Sequence, residues 1–273
     1  MTTTAEIISI GDELLYGQTL DTNAHWISHK LDEYNIKVFQ RTTIGDDADQ
    51  ILNAFATAAE RVDIVLITGG LGPTKDDLTK SLLAEYFGVG MVRHEEVLRD
   101  ITLLFAKASR EVTALNAQQA DLPANCQKIT NPVGTAPGMW FYENNTVFVA
   151  MPGVPYEMKS IMTQGILPKL HEMFSKGVLH HHIIKTIGIT ESSLSDLIED
   201  WEVNLPNHIK LAYLPTKGQV KLRMTGSGDN LNTLKQEIDA LKMAIMPKIA
   251  KYVYGFGTDS LEGVIGQLLN NNN

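Results

Sequence analysis

Ile64-Val65-Leu66-Ile67-Thr68-Gly69-Gly70-Leu71-Gly72-Pro73-Thr74-Lys75-Asp76-Asp77-Leu78-Thr79-Lys80 is the stretch that decides the architecture. It begins as a short apolar strand, turns abruptly into glycine, proline and carboxylates, and then opens a helical segment over Thr79–Phe87. Towards the N-terminus the same alternation recurs. Apolar runs at Glu6–Ile10 and Lys37–Thr43 are separated by helical periodicity at Ala24–Tyr34 and Asp49–Glu60. Strands alternating with helices of about a dozen residues predict βαβ crossovers, hence an α/β fold with a doubly wound, mostly parallel sheet. Towards the C-terminus, helices are predicted at Glu95–Ala106 and Thr113–Ala120, strands near Met139–Tyr142 and Thr146–Met151, and a helical segment Pro155–Phe174 broken around Gly165 and Pro168. Trp26, Phe39 and Phe55 are expected to pack against the sheet, and Glu95, Glu96 and Asp121 to be solvated helix surface.

The pattern then changes. Strand Ile183–Ile189, helix Glu191–Trp201, strands Ile209–Leu214 and Val220–Met224, and helix Leu231–Ile249 describe a second, small α+β unit. Thr190 and Asp229 are the expected N-caps, and Lys217-Gly218 the hairpin turn. His180-His181-His182 reads as an inert linker entering a strand. The predicted domains are 1–175, 176–252 and a tail, 253–273, which reads as the start of a further domain.

Composition bounds the function. The 273 residues are 44% hydrophobic and 20% charged, with a mean hydropathy of −0.07, which excludes a disordered or fibrous chain. No run approaches the ~20 apolar residues of a membrane span, and the start lacks a signal peptide's basic and apolar regions, so a cytoplasmic protein with no membrane partner is expected. The one cysteine, Cys126, is a poor candidate for a disulfide, zinc or redox site. The net charge is −9, with the acidic excess before residue 180 and equal numbers of basic and acidic residues over 180–250. That is not the footprint of a nucleic-acid binder. Phosphates would have to be attracted locally, by amides, a lysine or a metal.

Ligands of doubly wound sheets bind beyond the carboxyl ends of the strands. Three loops stand out there. Gly11-Asp12-Glu13 puts two adjacent carboxylates at a strand end, where they could hold a divalent cation or a water, or merely start a solvated turn. Thr68 to Lys80 combines glycines, which permit close backbone approach, with amides ahead of a helix, a favourable setting for phosphate. It matches neither G-x-x-x-x-G-K-[ST] nor G-x-G-x-x-G. Asp76 and Asp77 would stabilise a helix N-terminus whatever the function. The third region is Asn131 to Gly138 with Met151-Pro152-Gly153-Val154-Pro155-Tyr156-Glu157-Met158, whose turns could be plain hairpins. Gly45-Asp46-Asp47 completes the crevice.

Together, Gly11-Asp12-Glu13-Leu14-Leu15 with Gly17, Asp21-Thr22-Asn23-Ala24, Gly45-Asp46-Asp47, Thr68 to Thr79, Asn131 with Gly134-Thr135-Ala136-Pro137-Gly138, and Pro152 to Met158 resemble the N-terminal domain of the CinA family. The resemblance runs in order over residues 6–170. That domain is similar to the molybdopterin-binding fold, in which the glycine loop and the aspartates matching Asp46 and Asp77 lie at the ligand site. Residues 180–250 resemble the family's KH-like domain. The resemblance implies an ADP-ribose pyrophosphatase that needs a divalent metal (Mg, Mn or Co) and is aided by K+, in a homodimer. It also implies that the family's C-terminal deamidase would begin near Asp259-Ser260-Leu261-Glu262, where this sequence stops, so deamidase activity is expected to be absent.

The expected catalytic residues are Asp12, Glu13, Asp46, Asp77 and Lys80, with Asp46, Asp76 and Asp77 as metal candidates. Gly69, Gly70 and Gly72 are expected to present amides to a diphosphate. Gly11, Thr68, Pro73, Gly134 and Gly153 would line the site. Asn23, Thr74, Asn116 and Thr135 are candidates for ribose or adenine hydrogen bonds, and Glu157 would act from the opposite wall. The resemblance implies that the substrate is a small nucleotide, cleaved to AMP and a sugar phosphate. The alternative is a molybdopterin- or nucleotide-binding protein or an adenylyltransferase of molybdenum-cofactor type. Nucleic-acid binding by the KH-like unit is not expected, because Gly188-Ile189-Thr190-Glu191 has glutamate in place of the second glycine of G-x-x-G.

Overall fold

The computed structural model describes residues 3–74, 77–174 and 177–271. The chain divides into two units, 1–175 and 176–273. In the first the order is β1 (Thr4–Ile10), α1 (Asp12–Leu15), α2 (Thr22–Glu33), β2 (Lys37–Ile44), α3 (Ala48–Ala59), β3 (Ile64–Thr68), α4 (Thr79–Tyr86), β4 (Met91–Arg93), α5 (Glu95–Lys107), α6 (Ala114–Ala117), β5 (Asp121–Pro123), β6 (Gln127–Ile129), β7 (Gly138–Glu143), β8 (Thr146–Met151), α7 (Pro155–Ile161) and α8 (Leu167–Phe174). The second continues with β9 (Val178–Ile187), α9 (Glu191–Glu202), β10 (Ile209–Thr216), β11 (Gln219–Gly228), α10 (Leu231–Ile249), β12 (Val253–Phe256) and α11 (Leu261–Asn271).

Six strands form the main sheet in the order β2-β1-β3-β8-β7-β6. The first four are parallel; β7 and β6 turn antiparallel. The fold is therefore α/β with a mixed, mostly parallel sheet. β3 is buried at every residue, because it has a strand on each side and helices over both faces. One layer packs Ile8, Ile10, Phe55, Val65, Ile67 and Phe148; the other packs Ile7, Ala24, Ile27, Leu66, Trp140 and Val149. Each large side chain fully buried this way contributes about 1.5–3 kcal/mol. Two helices on these faces begin at side-chain caps: Asp21 accepts from the Ala24 amide at 2.8 Å, and Asp47 from the Gln50 amide at 2.9 Å. β1 lies between β2 and β3, so successive crossovers leave it in opposite directions. That reversal opens a crevice at the carboxyl ends of β1 and β3.

Several expectations are corrected. Phe39 is 53% exposed on β2, the sheet's edge strand, and Trp26 is only partly buried; Phe55 alone of the three is fully enclosed. Asp121 opens strand β5, where it chelates the Arg93 guanidinium. Glu95 and Glu96 are exposed on α5 as expected, Glu96 pairing with Lys128 at 2.8 Å. The segment 155–174 is not broken: a wide π-turn over 162–166 joins α7 to α8. Pro168 would clash with the carbonyl four residues earlier in a regular helix, and the wider turn makes room for its ring.

In the second unit an antiparallel sheet, β10-β11-β9-β12, packs Ile184, Leu222 and Met224 against Leu194, Ile198, Leu234 and Ile238 of the two helices. Thr190 caps α9 as expected, but α10 is capped by Asn230, whose side chain accepts from the amides of Asn232 and Thr233; Asp229 is one residue too early. His180–His182 lie inside β9, paired to β11, and are not a linker. Nor is 253–273 wholly a tail: β12 pairs with β9 and completes the sheet. Among the described residues no helix is long and apolar enough to cross a membrane.

Candidate active site

The glycine loop after β3 is built by close backbone approach. A Cβ on Gly69 would lie 2.1 Å from the Ile10 carbonyl oxygen, and φ there is +109°. Gly70 has φ +64° and sits against the Thr79 hydroxyl. That hydroxyl donates to the Gly69 carbonyl at 3.0 Å, and the Thr79 amide donates to Gly70 at 3.1 Å, so the start of α4 folds back on the loop. Asp77 fastens the other side: one carboxylate oxygen accepts from the Gly72 amide at 2.7 Å, the other from the Thr74 amide and hydroxyl at 2.8 and 2.5 Å.

These bonds correct one expectation. Gly69 donates its amide to Met151 at 3.1 Å and Gly72 donates to Asp77, so neither is turned towards a ligand. Among the described residues the amides of Gly70 and Leu71 find no acceptor.

A cleft of about 510 Å³ lies above the carboxyl ends of β1, β3 and β8. It brings together the expected Gly11, Glu13, Asp46, Gly69, Gly70, Gly72, Pro73, Asp77, Thr135, Gly153 and Glu157, which come from loops up to about half the chain apart. Asp12 stands behind this wall, cross-bonded to Asp46: each backbone amide donates to the other's carboxylate, at 3.2 and 3.3 Å. Thr74 serves Asp77. Gly134 packs against the Glu157 carboxylate. Thr68 and Asn23 lie beneath the floor, with the Asn23 side-chain amide donating to the Thr68 hydroxyl at 3.1 Å and to the Gly153 carbonyl at 2.7 Å.

Two expected residues are elsewhere. Lys80 donates its ammonium to the Gln118 carbonyl at 2.9 Å and does not line the cleft; burial there pushes its pKa down, against the pull of Asp121 and Asp77. Asn116 is in α6, bonded to Thr113. Asp76, with Lys75, lies outside the described residues.

Sequence reasoning quoted Asn131 only as part of its loop, without giving it a role, and passed over Ser9. Asn131 is buried and organises the loop before β7: its side-chain amide donates to the Ala136 carbonyl at 2.9 Å and to Glu157 at 2.6 Å, while its oxygen accepts from the Val133 amide. Ser9 is a buried hydroxyl inside an apolar strand, and that polar interruption of Ile7-Ile8-Ser9-Ile10 was the available signal.

The cleft's charge is one-sided. Glu13, Asp46, Asp77 and Glu157 line it, and none of its described lining residues is lysine or arginine. Among the described residues no three histidine, cysteine or carboxylate side chains form a ready cation cage. Magnesium-type sites typically use one or two carboxylates and complete the shell with substrate phosphates, and that chemistry fits Glu13 and Asp46.

Residues 6–172 match the family described as a probable molybdopterin binding domain, and residues 181–255 match the damage-inducible protein CinA KH domain. A crystal structure of CinA from Thermoplasma acidophilum, described there as of unknown function, is 33% identical with a TM-score of 0.56, covering 63% of this chain and 98% of that one. This chain belongs to the CinA family. CinA-like proteins of Cytophaga hutchinsonii and Flavobacterium psychrophilum are 49% and 44% identical over 98% and 97% of the chain. The chain spans 64% of the length of each. In this CinA-family chain the KH unit's turn at Gly188, φ +76°, leads straight into the Thr190 cap of α9, with Glu191 in the first turn.

Proposed function

We propose that the cleft hydrolyses the pyrophosphate of ADP-ribose or a related nucleoside diphosphate compound, releasing AMP and a sugar phosphate, with a divalent cation. The observation that carries this reading is a cleft at the strand ends that sets backbone donors opposite carboxylates. The Gly70 and Leu71 amides lie on one wall, and the start of α7, whose Tyr156 and Glu157 amides precede the first intrahelical bond, lies on another. Such amides favour anionic oxygens. The acidic lining repels the same oxygens unless a cation arrives with them. Glu13 and Asp46 would hold that cation together with the diphosphate. When bound it supplies charge neutralisation and an acidified water.

The chain's own residues do the rest. Asp77 fixes the loop so that the two free amides keep their direction, and Asn131 with Glu157 fixes the facing wall. Glu13 is the carboxylate placed to orient an attacking water or accept its proton. Potassium and a homodimer belong to the same reading. The volume, about 510 Å³, suits a ligand of nucleotide size. The direct test is AMP release from ADP-ribose across magnesium, manganese and cobalt. No AMP with any of the three would defeat the reading. The matched domain's description favours one other role, adenylyl transfer or binding of a pterin; that role predicts pterin binding and no AMP from ADP-ribose.

A further inference from the structure

Asp77 fixes one wall of the cleft, and Asn131 with Glu157 fixes the other, but the two walls leave the sheet by separate exits. One is the glycine loop after β3, the other the turn between β8 and α7. The β3–β8 ladder ends with Thr68 opposite Met151, and one further bond, from the Gly69 amide to the Met151 carbonyl at 3.1 Å, closes it. Past that point the Gly69 carbonyl turns to the Thr79 hydroxyl, and Pro152 has no N–H to offer. Among the described residues no main-chain bond joins the two exits beyond Met151.

Side chains take over there. The Thr68 hydroxyl donates to the Pro152 carbonyl at 3.1 Å and accepts from the Asn23 side-chain amide at 3.1 Å; the same amide donates to the Gly153 carbonyl at 2.7 Å. Asn23 belongs to the first turn of α2, whose start is held by the Asp21 cap. Both residues are buried, and neither lines the cleft. The Asn23 side-chain oxygen has no partner, so what this side chain contributes is its two donors. Over this brace the exits touch: a Cβ on Gly153 would lie 3.3 Å from the Gly69 Cα.

We propose that Asn23 and Thr68 are positioning residues that set the distance between the two amide-bearing walls, so that the Gly70–Leu71 turn and the start of α7 meet one anionic ligand together. This role rests on the reading of the cleft as a diphosphate site. Removing either donor leaves a buried carbonyl unsatisfied and frees one exit from the other.

Three variants test it. Thr68→Val keeps the shape and loses the hydroxyl, Thr68→Ser keeps the hydroxyl, and Asn23→Asp keeps the shape and loses both donors. Magnesium pyrophosphate is titrated into the full chain by calorimetry, below the melting temperature of every variant. Thr68→Val and Asn23→Asp should bind about tenfold more weakly than wild type, and Thr68→Ser should restore the affinity. The double variant, Thr68→Val with Asn23→Asp, should lose little more than either alone, because both act on one junction. Should Asn23→Asp fail to fold, the two Thr68 variants decide. Amide exchange of the ligand-free chain is the second readout. In Thr68→Val the Thr79 amide, bonded to Gly70, and the Met158 amide, bonded to Val154, should both exchange faster than in wild type. Wild-type affinity in Thr68→Val would overturn the brace and leave the diphosphate reading intact. Weak binding shared by Thr68→Ser would trace the loss to packing and overturn it too, as would faster exchange on one wall alone. If wild type binds no magnesium pyrophosphate the diphosphate reading falls, and paired acceleration at Thr79 and Met158 still upholds the brace while its absence overturns it.

Discussion

Asp77 shows how a residue marked by sequence acquires a different job in three dimensions. Its position near a glycine turn suggested a metal ligand, yet its two oxygens accept three hydrogen bonds from Gly72 and Thr74. Asp77→Asn keeps one accepting oxygen and loses the charge. Hydrogen bonds to charged groups are worth about 1.5–3 kcal/mol, so a fall in melting temperature of several degrees is expected. AMP release should drop at least tenfold as the Gly70 and Leu71 amides lose their direction. Melting curves and the AMP assay measure the two separately, and a variant that keeps full activity would remove Asp77 from the site's support. The glycines were legible because backbone approach admits no substitute. The destination of each amide was not, since Met151 is far from Gly69 in sequence and only the sheet order brings them together.

Elements store their own vulnerabilities. Within β1 the Glu6 carboxylate is buried and accepts from Arg61, just after α3, through two hydrogen bonds of 2.7 Å, and from the Thr42 hydroxyl of β2 at 2.6 Å. Arg61→Ala should cost about 3 kcal/mol, the lower end for breaking a buried pair because Arg61 is itself part-exposed. A fall in melting temperature of several degrees at pH 7.5 tests this, and an unchanged one would show the pair to be dispensable. In β9, burial lowers the His182 pKa, Lys242 and His180 lower it further, and Asp239 opposes them. A lowered folded value means the unfolded chain binds the proton more readily, so this stability is complete above the ordinary histidine value. It is lost as pH falls from about 6.5 towards the folded pKa. His182→Gln should flatten the acid limb of the melting-temperature profile. If the profile keeps its wild-type slope, His182 is not its source. The helices and parallel strands were readable from periodicity. The three-residue strands β4, β5 and β6 were not, because so short a run carries no period and is fixed by its partner strand.

The whole molecule is acidic, with a net charge of −9, and its KH unit has no compensating excess of basic residues. Specific and non-specific nucleic-acid binding both draw on phosphate neutralisation. Single-stranded RNA and DNA should therefore show no electrophoretic shift even at low salt. A shift abolished by neutralising Lys210, Lys217, Lys221 and Arg223 would show a local stripe overriding the net charge. The two-unit division was visible as a change of pattern near residue 180. The extent of the second unit was underestimated, because β12 is only four residues and earns its place by pairing with β9 across a register shift.

At Gly69, a single missing carbon lets the β3 turn rest directly on the end of β1. An alanine there would act as a wedge driven between two adjacent strands at the lip of the cleft. The spacing of these two strand ends is thus a main-chain dimension, set by backbone contact and not by a rotamer, and the ligand proposed above would meet a loop with little left to reorganise.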